Sequence, residues 1–138
     1  MKLNITGSVF DTTGYSVHTR NLVNALYKIN KEIHLETNRP ADYIRWCNDA
    51  EIEMLDKNPF YQDGITIMIG VPPFWRIPLS ENPKGFVGFL VFEGSECPIF
   101  WLEYLANPKV NQVWVPSNHV KQLILNTIEK YKGKNEKK

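Results

Sequence analysis

The 138-residue sequence predicts one α/β domain, with helices layered on both sides of a mainly parallel β-sheet. Two runs carry this reading: "ITIMI" (65–69) and "FVGFLVF" (86–92) are apolar on both faces, as central parallel strands covered on each side must be. Around them lie segments whose apolar residues recur at helical spacing, so strands alternate with helices along the chain.

The elements follow in order. "LNITG" (3–7) reads as a first strand, and the turn-rich "SVFDTTGYS" leads into a helix from Tyr15 to about Asn30, where Leu22, Val23, Leu26 and Ile29 form one apolar face. "EIHLET" alternates Ile33 and Leu35 with His34 and Glu36, the pattern of a half-buried or edge strand, and Arg39-Pro40 ends it. Residues 41–57 carry only scattered apolar side chains and read as one or two short helices. The central strand 65–69 follows, then "PPFWRIPLSENPKG", too rich in proline for a helix, then the strand 86–92. Pro98 suits the first turn of a helix through Trp101, Leu102 and Leu105, which Asn107-Pro108 stops. "NQVWVPS" reads as a third buried strand. Ser117 caps a last helix with Val120, Leu123, Ile124 and Ile128 as its buried stripe and Gly133 at its end. The expected domain spans 1–131, with 132–138 as a lysine-rich flexible tail.

Composition narrows the function. With 43% apolar and 22% charged residues the chain has a globular balance. No apolar run approaches the roughly 20 residues of a membrane-spanning helix, and "MKLNITGSVF" lacks the apolar centre of a signal peptide, so a cytoplasmic protein without an integral membrane segment is expected. Residues 130–138 hold five lysines and one glutamate. The rest carries 11 basic and 14 acidic groups, leaving no broad basic face for nucleic acid. Cys47 and Cys97 have no C-x-x-C or histidine companions, so no metal site is expected and both read as free thiols.

Ligands of open α/β sheets bind outside the carboxyl ends of the strands, here the loops after Gly7, Val71, Phe92 and Val115. Glu93 ends a buried run on that rim. It is either a carboxylate aimed into a cleft, fit to act as a base or to bond a hydroxyl with Glu96 sharing the task, or a group that ties down its own loop amides. Gly14-Tyr15-Ser16 puts free amides at a helix start, where an anion is favoured; the alternative is a glycine that only lets the helix approach the sheet. The loop "PPFWRIP" offers Phe74, Trp75 and Arg76, able to stack on a sugar or pair with an anion, or simply to fold over the sheet edge. His18, on the helix face of Leu22 and Leu26, points toward the sheet. Neither G-x-G-x-x-G nor a P-loop lysine is present, so no bound cofactor is expected.

The stretches "GYSVHTRNLVNAL", "FEGSECPIFW" and "VWVPSNHVKQ" together resemble the amino-terminal domain of GT-B glycosyltransferases of family 4, or group 1. The ordered set Phe92, Glu93, Pro98, Trp101, Trp114, Val115, Pro116 and Ser117 carries the resemblance, which covers Leu3 to about Tyr131. It implies a Rossmann-like domain that holds an acceptor (sugar, lipid or protein) opposite a second domain that holds the nucleotide-sugar donor. The chain shows no donor-domain features, so it is expected to be a domain of a longer protein or a natural half-enzyme. Many relatives carry a histidine at the end of a central strand, whereas here those ends read Gly70-Val71 and Phe92-Glu93. The resemblance therefore implies Glu93 as the catalytic-site carboxylate, in acceptor binding or orientation, with Gly14, Tyr15 and Ser16 facing the donor phosphates or the acceptor and Ser95, Glu96 and Trp75 as further substrate contacts. The alternative is a non-catalytic interaction module, forming a homodimer through the face that would otherwise meet the donor domain.

Overall fold

A computed structural model describes residues 1–10, 14–75, 85–90 and 96–136. Five strands, β1 (Leu3–Thr6), β2 (Ile33–Glu36), β3 (Ile65–Ile69), β4 (Phe86–Phe89) and β5 (Gln112–Trp114), form one sheet in the order β2-β1-β3-β4-β5, every neighbouring pair parallel. Among the described residues the α-helices are α1 (Gly14–Tyr27), α2 (Asn48-capped Asp49–Ile52), α3 (Trp101–Leu105) and α4 (Asn118–Glu136). The molecule is a single α/β domain of three layers, as its sequence predicts.

In-register parallel pairing puts aligned residues on the same face, so the sheet sorts its side chains by row. Ile5, aligned with Leu35 and Ile67, and Leu3, aligned with Ile33 and Ile65, give the first face a continuous aliphatic surface. Val23 of α1 and Met54 and Leu55, in a π-helical turn (Glu53–Lys57) that continues α2, close over it. α1 and α2 are joined by an ion pair 31 residues apart in sequence: Arg20 Nε lies 2.8 Å from Glu51 Oε2 and Arg20 Nη2 donates to Glu51 Oε1 at 3.0 Å. Glu51 also completes a capping box with Asn48. Burial by itself raises the Glu51 carboxyl, but the hydrogen bonds from Arg20, the Asn48 amide and Asn24 outweigh it and hold the group below its ordinary value.

The second face divides in two. Over β3, β4 and β5 the rows carry Met68, Phe86, Leu90 and Val113, and Trp75, Cys97, Trp101, Val120 and Leu123 pack on them. Trp75 packs directly on Gly88: a Cβ there would stand 2.3 Å from its ring, so only glycine lets the indole reach the strand. Its Nε1 donates to Gly70 O at 3.0 Å. Over β1 and β2 the same face carries Asn4, Thr6, His34 and Glu36. At the amino ends of these strands, residues 58–61 wrap beneath it: Asn58 Nδ2 donates to Ile33 O, His34 Nδ1 lies 2.9 Å from Asn58 O, and Asn4 exchanges two bonds of 2.8 Å with the backbone of Tyr61. Among the described residues no helix covers the carboxyl half of this corner.

Several boundaries differ from the sequence reading. α1 stops at Tyr27, and Ile29, assigned to the buried stripe, is 84% exposed beyond it. β5 is an edge strand rather than a buried one, since Gln112 and Trp114 are exposed; its alternation was masked by the flanking valines. α4 continues past Gly133 to Glu136, because one glycine costs a helix only about 1 kcal/mol. Cys97 is buried, its amide donating to Thr127 Oγ1 at 2.9 Å, and Cys47 is half-buried; both are free. Among the described residues no helix is long and apolar enough to cross a membrane.

Candidate functional site

The strand order reverses between β1 and β3, since β1 leads outward to β2 on one side and β3 flanks it on the other. The carboxyl ends of strands at such a switch point are where open α/β sheets take ligands. Here a cleft of about 470 Å³ opens at that point, lined by Thr6, Gly7, Ser8, Glu36, Thr37, Asn38 and Ile69. A second recess of about 210 Å³ shares Ser8, Thr37 and Asn38 with it and extends to Val9, Phe10 and Pro40.

Local sequence explains the shape. Gly7 follows β1 directly beneath α1, where a Cβ would meet Thr19 Cγ2 at 3.0 Å, Thr19 Oγ1 at 3.1 Å and Ile69 Cβ at 3.3 Å. Gly7 therefore lets α1 approach the sheet closely at this point. Asn38 is followed by Arg39, whose guanidinium turns away from the cleft: Nη1 pairs with Asp56 Oδ1 at 2.5 Å and Nη2 donates to Leu55 O at 2.8 Å. Tyr43 donates its hydroxyl to the same Asp56 and sets its ring edge-on to Phe10, centroids 6.1 Å apart. The charge of Arg39 is thus spent on anchoring the loop after β2. Among the described residues, Thr6, Ser8, Glu36, Thr37 and Asn38 make no side-chain hydrogen bond or ion pair.

The residues singled out from sequence scatter. Glu93, Ser95, Phe92 and Arg76 lie outside the described residues. Gly14 opens α1, Ser16 is buried in its first turn, and Tyr15 packs on the first-face core. His18 does face the sheet, its ring 4.7 Å from that of Phe89, and its Nε2 is buried with no hydrogen-bond partner among the described residues; the hydroxyl of Thr19 is in the same condition. Trp75 is 5% exposed, its ring committed to Gly88 and Phe86. Glu96 pairs with Lys130 Nζ at 2.9 Å, thirteen residues beyond Ser117 on α4 and so about 20 Å of helix from the carboxyl rim. No cavity formed by the described residues alone holds Glu96, Trp75 and the start of α1 together.

Sequence reasoning passed over Glu36, Thr37 and Asn38. The signal was present: a strand alternating to its last residue and ending in three polar side chains, next to a strand that must be its neighbour because consecutive strands usually pair. Among the described residues no group of three His, Cys, Asp or Glu side chains is placed to hold a metal ion. Compared with protein-family models, curated proteins and solved structures, the chain matches none.

Proposed function

We propose that the chain is the acceptor-binding half of a nucleotide-sugar-dependent glycosyltransferase of the GT-B kind, and that sugar transfer requires a second, donor-binding domain. The ordered set Phe92, Glu93, Pro98, Trp101, Trp114, Val115, Pro116 and Ser117 is the observation that carries the reading. Its described members support it by forming one folding unit: Pro98 O accepts from Trp101 N, Trp101 is buried against α4, and Ser117 leaves β5 to accept the amide of Val120 and open α4. In this reading the carboxyl rim holds the acceptor, Glu93 orients its hydroxyl, and Gly14, Tyr15 and Ser16 face the donor phosphates or the acceptor. Closure of two domains would exclude water and align the reacting groups, so the chain by itself transfers little sugar. The test is to measure transfer and nucleotide-sugar hydrolysis by the chain alone and joined to a GT-B donor domain. Turnover only in the joined form is expected, and robust turnover by the chain alone contradicts the half-enzyme reading.

A second reading, a non-catalytic interaction module, has one observation in its favour. Between α3 and α4 runs an apolar groove of about 750 Å³ in which Phe100 and Tyr131 stand about half exposed. The molecular mass in solution distinguishes this reading: a dimer that Phe100→Asp dissociates favours it, and a monomer removes the homodimer.

A further inference from the structure

We propose that the open corner at the carboxyl ends of β1 and β2 binds an uncharged sugar residue through Ser8, Glu36, Thr37 and Asn38; as the place of the acceptor, this rests on the transferase reading above. Four observations converge. The cleft stands at the switch point of the sheet, and its size falls within the roughly 300–1,000 Å³ of small-ligand sites. Its polar side chains are those suited to hydroxyl groups. A carboxylate accepts from two neighbouring hydroxyls, a carboxamide donates and accepts at once, and serine and threonine hydroxyls do either. All of them are unengaged among the described residues, unlike Asn4 and His34 on the same face lower down, which the 58–61 segment occupies.

Charge selects against an anion. Arg39, next in sequence to Asn38, is held by Asp56 and Leu55 O, so among the described residues Glu36 is the only formal charge on the lining and would repel phosphate. Phe10, in the lining of the recess that shares Ser8, Thr37 and Asn38 with the cleft, offers an apolar surface for the C–H face of a pyranose. The residues of the helix start and those of this corner thus divide the labour of the rim, with anions at the first and neutral hydroxyls at the second.

The test titrates the ¹⁵N-labelled chain with glucose, galactose, mannose and N-acetylglucosamine in turn, and with inorganic phosphate. At least one sugar is expected to move the amides of residues 6–8 and 36–38, while phosphate leaves them in place. Glu36→Gln weakens that binding by roughly tenfold or more, the loss expected for a charged hydrogen-bond acceptor, and Asn38→Ala weakens it less. Both positions are exposed, and an unchanged melting temperature shows that each variant is folded. No response to any of the four sugars at saturating concentration, or a response of these amides to phosphate, overturns the proposal. The two readings fail separately. Sugar binding in the corner without transfer in the joined enzyme keeps the site and removes the transferase, whereas transfer whose acceptor KM ignores Glu36→Gln keeps the transferase and removes the site.

Discussion

The two halves of the sheet's second face share one backbone and one register, yet they differ in everything that burial controls. Over β4, residues Phe86 and Leu90 are fully buried beneath Trp75, α3 and α4, whereas two or three strands away the same rows read Asn4, buried but hydrogen-bonded to the backbone of Tyr61, and Thr6, His34 and Glu36. Where helices cover a sheet its rows must be apolar; where they do not, polar side chains either reach solvent, as Glu36 does, or are satisfied by hydrogen bonds, as the buried Asn4 is by Tyr61. The lesson is that the covered half holds the domain together and the open half is free to specialise, so stability and binding should separate between them.

The largest expected effect is on the covered half. Trp75→Ala removes an indole packed on Gly88 and Phe86 and should cost about 3–5 kcal/mol, read by urea unfolding. A loss below about 1 kcal/mol would show that the helices hold this half without the plug.

Next comes the tie between α1 and α2. Glu51→Gln is expected to cost about 1–3 kcal/mol, less than a fully buried pair because one third of the Arg20 side chain is exposed. The pH dependence has a definite sign. With its folded value below the unfolded 4.5, Glu51 contributes stability that is fully present above that pH and is lost as the pH falls through the lowered value. Acid unfolding below about pH 4.5 should therefore be less steep in the glutamine variant.

A comparable effect is expected at the junction of the two regions. Gly7→Ala brings a Cβ to 3.0 Å from Thr19 Cγ2 and forces α1 or the end of β1 to yield, at about 1–3 kcal/mol. Because Gly7 also lines the cleft, the same variant should weaken sugar binding. Smallest of all is Glu36→Gln, within about 0.5 kcal/mol of the parent in unfolding, as exposed surface changes usually are. If this substitution destabilises the fold as much as Gly7→Ala, the separation between the halves fails.

Much of the architecture was legible because it rests on periodicity. The β-branched run at 65–69, the helical stripe through Leu22, Val23 and Leu26, and the Ser117 cap each report local physics. What was not legible depends on which strands become neighbours. Nothing local says that Gln112–Trp114 is outermost, so "NQVWVPS" reads as buried although Trp114 is an exposed edge residue. Nothing local tells an aromatic loop residue that it will fold inward: Trp75 does so because Gly88, on the strand beyond its loop, offers a surface without a side chain. Arg20 and Glu51 meet only because the chain returns from β2 past α1. The polar triplet Glu36-Thr37-Asn38 becomes a candidate site only once β2 stands beside β1 and the sheet's corner is seen to be uncovered.

The distinction between a packed half and a binding half is tested most directly by mapping, over the whole amide spectrum, where a neutral sugar acts on the chain. The account predicts shifts that cluster at residues 6–8 and 36–38 and spare the α3–α4 groove, residues 99–106 and 124–131. Shifts confined to that groove, with the β1–β2 corner unmoved, would contradict it.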